Sequence, residues 1–136
     1  HVMRKLKQEM WVLQNKRIAV FGLAFKPGTD DIRESPSLYF IPALQDQKAS
    51  LCLWDPIARE KFDEEFPGLE YNDDLLACAR DADALLILTD WPEIRELDLG
   101  ALKDAMRCPI VVDGRNVFDA QVMVDQGFTY HSVGRE

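Results

Sequence analysis

The chain has few cysteines and no long apolar run. Its three cysteines, among 136 residues, are widely spaced, and no two of them form a C-x-x-C motif. This pattern is typical of buried thiols in a reducing compartment and argues against a disulfide framework or a zinc site. The longest apolar stretch, around 84–88, is far too short to cross a bilayer. No charged-then-apolar signal peptide opens the sequence, so we expect a cytoplasmic protein that does not enter a membrane.

Basic residues are also scarce relative to acidic ones. Lys and Arg total 16 against 24 Asp and Glu, which gives a formal net charge of −8. Proteins that bind nucleic acids or membrane surfaces carry basic faces, so we expect neither partner. Hydrophobic residues make up 47% of the chain and charged residues 29%, as in globular domains. A chain of this length buries roughly two-thirds of its unfolded surface, which is enough for one stable core.

Short apolar runs alternate with helical stretches from residue 17 onward. Strands are predicted at 17–22, 50–54, 84–88 and 109–112, with weaker candidates at 69–71 and 128–133. Helices are predicted at 36–47, 56–65, 73–79, 99–106 and 119–126. The strands are continuously apolar rather than alternating, which is typical of a parallel sheet covered on both faces. We therefore predict a doubly wound, Rossmann-like α/β domain over 16–136, with three α/β/α layers.

The first fifteen residues form a separate element. Met3, Leu6, Met10 and Leu13 recur at helical spacing, which predicts the apolar face of an amphipathic helix. The apolar face is short and begins abruptly. We interpret residues 1–15 as the tail of a longer helix.

Local signals mark two helix starts and one possible break. Ser35 and Asp55 each precede a proline, so we expect each side chain to cap the helix that begins there. Pro42 lies inside the helix predicted at 36–47, where it should kink or split that helix.

Three polar segments follow the ends of predicted strands. They are 22–35 (GLAFKPGTDDIRES), 89–93 (TDWPE) and 113–116 (DGRN). In open parallel sheets, ligands bind at the carboxyl ends of the strands, near the point where the strand order reverses. If the sheet has the usual order, its first and fourth strands are neighbours and these segments line one crevice.

Three cations, Lys26, Arg33 and Arg115, lie in these segments. Gathered in an acidic protein they would attract an anion, and both guanidinium and ammonium groups bind phosphate through charge-assisted hydrogen bonds. We interpret the crevice as a pyrophosphate pocket. The alternative is a solvated loop in which the acids of 30–34 simply pair with Lys26 and Arg33.

The glycine fingerprint of dinucleotide-binding domains, G-x-G-x-x-G, is absent. Only Gly22 is present after the first strand, so the backbone cannot approach a diphosphate as it does in NAD domains. Asp55 follows Gly22 by 33 residues, farther than the ~20 typical of a ribose-binding acid, and a capping role explains it fully. A receiver domain that chelates Mg²⁺ through Asp30, Asp31 and Asp55 is a further alternative, although the paired aspartates lie well beyond the strand tip.

The segment 22–37, GLAFKPGTDDIRESPS, resembles the carboxy-terminal domain of the UDP-glucose/GDP-mannose dehydrogenase family. The likeness extends through WDP at 54–56, residues 82–91, DGRN at 113–116 and YHSVGR at 130–135, and it covers nearly the whole chain. It implies that residues 1–15 are the tail of the helix that joins the family's two Rossmann-like halves.

The resemblance also implies an activity. Enzymes of that family use NAD to oxidise the C6 hydroxymethyl group of a nucleotide sugar to a carboxylate, and their carboxy-terminal domain holds the substrate's nucleotide. Phe25, Lys26 and Arg115 match substrate-binding positions, and Arg33 matches a residue that reaches NAD across the cleft. UDP-glucose is the expected substrate, with GDP-mannose and a UDP-N-acetylhexosamine as alternatives. The full enzyme is expected to be a homo-oligomer.

Two parts of such an enzyme are missing from this sequence. They are the NAD-binding glycine loop and the G-x-C-x-P-K-D type segment that carries the catalytic cysteine; Cys52, Cys78 and Cys108 match neither. We therefore expect the isolated chain to be inactive and to need an amino-terminal NAD-binding domain and a central helical domain. A stand-alone nucleotide-binding or dimerisation module is the alternative from another functional class.

Overall fold

A computed structural model describes residues 2–10 and 12–132. Helices and strands alternate along almost all of this length. In chain order the elements are α1 (Val2–Met10), β1 (Arg17–Phe21), α2 (Ser37–Asp46), β2 (Ser50–Trp54), α3 (Arg59–Glu65), β3 (Glu70–Tyr71), α4 (Leu75–Ala79), β4 (Ala84–Ile87), α5 (Pro92–Arg95), α6 (Leu99–Ala105), β5 (Ile110–Asp113), α7 (Ala120–Asp125) and β6 (Thr129–Ser132).

The strands of the described residues form one parallel sheet in the order β3-β2-β1-β4-β5-β6. Ile18 in β1 pairs with Leu51 on one side and with Ala84 on the other. The first strand thus lies in the middle of the sheet, and the strand order reverses between β1 and β4. This is the doubly wound order that the alternation of strands and helices predicts.

Helices cover both faces of the sheet. Parallel connections are right-handed, and the chain moves in opposite directions through the two halves of the sheet. Helices α2 and α3 therefore lie on one face, and α4, α6 and α7 lie on the other, where α4 packs against α6. Every residue of β4 is buried, as are the last four of β1 and β2, which explains why the strands are continuously apolar.

The amino-terminal helix is shorter than predicted. Helix α1 ends at Met10, so the prediction that Leu13 lies on its apolar face is wrong, although Leu13 is buried. Beyond the helix, a turn leads into β1: Asn15 has a φ of 64° and donates its backbone N–H to Lys48 O at 3.0 Å. Among residues 2–10 and 12–132, no helix combines the length and the apolar character needed to cross a bilayer.

Helix α2 passes through Pro42 without interruption. The prediction that Pro42 splits the helix is therefore wrong. A proline removes one backbone donor, but Ile41 and Leu44 beside it are fully buried in the core, and such tertiary packing supplies most of the stability of a short helix.

Two of the three cysteines fill the core as predicted. Cys52 in β2 and Cys78 in α4 are fully buried, and the Cys78 thiol donates a hydrogen bond to the Cys52 carbonyl at 3.3 Å. Cys108 is half-buried, and all three thiols are free.

Candidate functional site

Three loops meet at the carboxyl edge of the sheet, where β1 and β4 lie side by side. Gly22 N–H donates to Trp54 O at 2.7 Å, and Thr89 Oγ1 donates to Ala24 O at 2.7 Å. Gly114 N–H donates to Ile87 O at 2.8 Å. The Thr89 bond joins the loops after β1 and β4, and the Gly114 bond ties the start of the loop after β5 to the end of β4. The polar segments predicted from the sequence therefore begin at neighbouring points of this edge.

Asp55, at the end of β2, anchors the loop that follows β1. Its Oδ2 accepts hydrogen bonds from the backbone N–H groups of Leu23 at 2.8 Å and Ala24 at 3.0 Å. The same oxygen accepts from Trp91 Nε1 at 3.1 Å. Since Asp55 is only 6% exposed, these donors replace the water that a buried carboxylate loses. Asp55 therefore holds two loops of the edge together.

The other oxygen of Asp55 binds the backbone of the turn that follows β2. Asp55 Oδ1 accepts from Ile57 N–H at 2.9 Å and Ala58 N–H at 2.8 Å. These bonds hold the turn that leads into α3. The helix itself begins at Arg59 with Ala58 as its N-cap and no side-chain cap bond, so the prediction that Asp55 caps the helix is wrong. With both oxygens bound to protein donors, the carboxylate is not available to a ribose.

The receiver-domain alternative is not supported by the positions of the three aspartates. Asp30 pairs with Lys61 at 3.3 Å, and Asp31 pairs with Arg33 at 2.9 Å. Asp55 is saturated by N–H donors. In the described part of the chain, no group of three or more His, Cys, Asp or Glu residues could hold a metal ion.

Two serines before and in the first turn of α2 hold the same loop from the other side. Ser37 Oγ donates to Leu23 O at 2.8 Å, and Ser35 Oγ lies 3.4 Å from Ala24 O. Ser35 Oγ also accepts from Ser37 N–H at 3.2 Å, which confirms the predicted cap. The peptide groups of Leu23 and Ala24 are thus bonded on both their N–H and C=O sides.

Phe25 and Lys26 follow this fixed segment and reach the solvent. Phe25 N–H donates to Asp31 O at 2.8 Å, which closes the loop. The Phe25 side chain is 41% exposed, which is unusual for a phenylalanine, and Lys26 is also exposed. Within the described residues, the Lys26 ammonium has no recorded hydrogen bond or ion pair. The loop therefore exposes an apolar ring and, at the next position, a cation with no partner recorded among the described residues.

Arg33 is paired within its own loop. Its Nη2 lies 2.9 Å from Asp31 Oδ2 and its Nε donates to Asp31 Oδ1 at 3.0 Å, although the Arg33 side chain is 87% exposed. The Arg33 hydrogen bonds hold the pKa of the Asp31 carboxyl at about 2. The pairing alternative is thus confirmed for Arg33, but Asp30 pairs with Lys61 and not with Lys26.

Phe25 and Arg33 line one open cavity of about 460 Å³, together with Asp31 and Glu34. Lys26 and Arg115 do not line it. The three predicted cations are therefore unequal: Arg33 is paired with Asp31, whereas no ion pair is recorded for Lys26 or Arg115 within the described residues.

Asp113 anchors the loop that carries Arg115. It lies at the end of β5 and is fully buried. Asp113 Oδ1 accepts from Arg115 N–H at 3.0 Å, and Oδ2 accepts from Phe118 N–H at 3.0 Å. This anchoring role was not predicted from the sequence, and Asp55 was considered there as a helix cap, a ribose-binding acid or a Mg²⁺ ligand but not as a loop anchor. The signal was present in both cases: an aspartate that ends or directly follows a buried strand.

Comparison with known proteins places this geometry in a family. A family model described as "UDP-glucose/GDP-mannose dehydrogenase family, UDP binding domain" matches residues 19–120, which is most of the chain. The chain belongs to the UDP-glucose/GDP-mannose dehydrogenase family. The match covers the loops after β1, β4 and β5, and it confirms the resemblance seen in the sequence.

Curated members of the family match along nearly the whole chain. UDP-glucose 6-dehydrogenase TuaD of Bacillus subtilis is 42% identical over 136 residues, which cover 99% of this chain and 30% of that protein. UDP-glucose 6-dehydrogenase AglM of Haloferax volcanii is 44% identical over 131 residues, which cover 96% of this chain and 29% of that protein. The chain therefore spans less than a third of the length of these relatives.

Solved structures of the family share the fold. A UDP-glucose dehydrogenase from Pyrobaculum islandicum superposes with a TM-score of 0.77 at 32% identity, over 88% of this chain and 26% of that one. An NDP-N-acetyl-D-galactosaminuronic acid dehydrogenase from Methanosarcina mazei superposes with a TM-score of 0.82 at 27% identity, over 99% of this chain and 28% of that one. The family's fold agrees with the predicted Rossmann-like α/β domain.

Proposed function

We propose that this chain binds the UDP part of a UDP-sugar at the carboxyl edge of its sheet. It would do so as the nucleotide-binding domain of an NAD-dependent oxidoreductase that oxidises UDP-glucose to UDP-glucuronate. The observation that carries the proposal is that exposed Lys26, for which no partner is recorded among the described residues, follows exposed Phe25 on a loop whose backbone is held by Asp55. Membership of the family supports it.

Each proposed substrate residue has a chemical task. The Lys26 ammonium supplies a point charge for the diphosphate, and the planar Arg115 guanidinium can bind two phosphate oxygens at once. The Phe25 ring offers an apolar face against which the base or the ribose can pack. Because Leu23 and Ala24 are fixed by hydrogen bonds, Lys26 starts from an ordered backbone, which lowers the entropy cost of binding.

NAD does not fit the turn after β1 in this chain. In dinucleotide domains the backbone N–H groups of that turn face the pyrophosphate. Here the N–H groups of Leu23 and Ala24 are both bonded to Asp55. We infer that NAD, which accepts the hydride in the family's reaction, lies in another part of the whole enzyme, and that Arg33 contacts it from this domain. No catalytic step is assigned to residues of this chain.

Calorimetric titration of the 136-residue chain with UDP, GDP, uridine and NAD tests the proposal. UDP should bind with a dissociation constant of about 0.1–1 mM, because the site is open to solvent. The affinity should fall with added salt, since exposed charges are screened over ~8–10 Å. Uridine should bind far more weakly than UDP, since it lacks the phosphates, and NAD should not bind measurably.

A matched pair of variants localises the site. Lys26→Ala should weaken UDP binding about tenfold, which is the loss of one charge-assisted contact. Lys48→Ala removes another exposed lysine, just before β2 at the opposite edge of the sheet, and should leave the affinity unchanged. Equal effects of the two variants, or UDP-induced NMR shifts away from 22–37 and 113–116, would place the site elsewhere. Absence of UDP binding by the wild-type chain would reject the proposed function.

A further inference from the structure

The Asp55 carboxylate bonds to three separate segments at the carboxyl edge. Its two oxygens accept five N–H groups: those of Leu23, Ala24, Ile57, Ala58 and the Trp91 indole, at 2.8–3.1 Å. The bonds to Leu23 and Trp91 join residues that lie 32 and 36 positions from Asp55 in the sequence. The turn after β2 needs only the two local donors, Ile57 and Ala58. The other three donors belong to the loops after β1 and β4.

The turn after β1 is oriented by this carboxylate. The N–H groups of Leu23 and Ala24 both point at Asp55 Oδ2. The carbonyl of Ala24 accepts from Thr89 Oγ1 at 2.7 Å. Ala24 is the residue directly before Phe25, so the direction in which the chain presents Phe25 and Lys26 follows from these bonds.

Asp55 also occupies the place of an external anion. Backbone N–H groups in the turn after the first strand of a Rossmann-like domain form an anion site that usually receives a phosphate. In this chain the anion is a side chain of the protein itself. A ligand phosphate would be repelled from that position, so the side-chain cations beyond it are left to bind the phosphate.

We infer that Asp55 is a positioning residue for ligand binding: as an internal anion at the turn after β1, it orients the loop that presents Lys26 to the ligand's phosphates. The inference rests on the proposed function. It predicts that the affinity for UDP depends on the bonds between Asp55 and the β1 loop, although Asp55 does not touch the ligand.

Asp55→Asn is the direct test. The amide keeps the size of the side chain but replaces one acceptor oxygen with an NH₂ group, which must then face N–H donors. UDP affinity should fall about fivefold or more, and the amides of Leu23 and Ala24 should exchange faster with solvent. Trp91→Phe is the milder variant should Asp55→Asn fail to fold: it removes one donor to the same oxygen and should weaken UDP binding about twofold to threefold.

Asp83→Asn is the matched control. Asp83 is also 6% exposed and accepts a backbone N–H, that of Arg17 at 2.8 Å, but it lies just before β4 at the amino edge of the sheet. This variant should lower thermal stability while UDP affinity stays within about twofold, since affinities of distant sites vary independently.

The outcomes separate the inference from the proposed function. Unchanged UDP affinity in folded Asp55→Asn or, failing that, in Trp91→Phe overturns the inference and leaves the proposed function intact. An equal loss of affinity in Asp83→Asn also overturns it, since general destabilisation would then explain the effect. If the wild-type chain does not bind UDP, the proposed function fails and the inference fails with it.

Discussion

Tyr130 donates a hydrogen bond of 2.6 Å from its hydroxyl group to Asp113 Oδ2. The bond joins β6 to the end of β5, directly before the loop that carries Arg115. Asp113 is fully buried, and its other recorded donors are the backbone N–H groups of Arg115 and Phe118. A buried carboxylate depends on each of its donors, because water cannot replace them. Through Asp113, the edge strand β6 thus helps to hold the loop that carries Arg115, a residue of the proposed site.

Tyr130→Phe should therefore destabilise the fold. We expect the free energy of unfolding to fall by about 1–2 kcal/mol, since a donor to a buried charge is lost while the ring remains. Urea denaturation measures this change. Tyr39→Phe is the control, because Tyr39 is 65% exposed and should change stability by less than about 0.5 kcal/mol. Equal effects of the two variants would contradict the structural role of the Tyr130 hydroxyl.

The hydroxyl of Tyr71 differs from that of Tyr130 in its hydrogen bonding. Its hydroxyl is buried and has no hydrogen-bond partner among the described residues, and burial raises the pKa of the phenol to about 12 from an ordinary value of 10. The folded protein thus holds this proton more tightly than the unfolded chain does. The resulting contribution to stability is complete below pH 10 and is lost as the pH rises from 10 to 12.

Tyr71→Phe should leave stability at pH 7 unchanged or raise it by up to about 1 kcal/mol, because an unpaired buried hydroxyl is removed. The packing of Arg59 over the ring, at 4.8 Å from its centre, is kept. The variant should also lose less stability than wild type between pH 10 and about pH 12, which urea denaturation at a series of pH values across this range measures. Identical alkaline profiles would show that the Tyr71 phenol is accessible to solvent.

Gly22→Ala should disrupt the junction between the loops after β1 and β4. Gly22 has a φ of +100°, and an added Cβ would overlap the backbone and side chain of Thr89. We expect a loss of about 3 kcal/mol or more in unfolding free energy. Gly28→Ala separates strain from overlap, because Gly28 has a φ of +86° but nothing within 4 Å of the added atom; it should cost about 1 kcal/mol. Similar losses at the two positions would argue against close contact at Thr89.

Arg33→Gln should release the Asp31 carboxyl. Its pKa should rise from about 2 toward the ordinary value of 3.8, because the Arg33 guanidinium supplies the hydrogen bonds that lower it. NMR titration of the side-chain carboxyl measures the shift. Lys61→Gln removes only a weaker charge effect on Asp31 and should move its pKa much less. UDP affinity should stay within about twofold in Arg33→Gln, because we propose that Arg33 faces NAD; a larger loss would assign Arg33 to the substrate.

The local sequence was sufficient for the strands and for one helix cap. Continuous apolar runs predicted β1, β2, β4 and β5 because strands buried on both faces have no polar side to alternate with. Ser35 was predicted as a cap because its donor, Ser37 N–H, lies only two residues away. Of the kink or split predicted at Pro42, the split was wrong because local propensity is a weak effect that core packing around Ile41 and Leu44 outweighs.

By itself, then, the sequence determined the α/β class, the family likeness and the loops that hold the candidate residues. Only the tertiary structure decided which side chains bond to one another across these loops. Asp55 meets Trp91, and Asp113 meets Tyr130, across 36 and 17 positions of the chain, and such pairs follow from strand order and register rather than from spacing along the sequence. For Arg33 the sequence left two possibilities open, a phosphate-binding cation or a partner of the loop's acids. The structure shows the pairing with Asp31, because the bend of the loop brings neighbours two residues apart into bidentate contact. Charge along the sequence shows which residues can bind an anion, and the folded loops determine which of those residues are free to bind it.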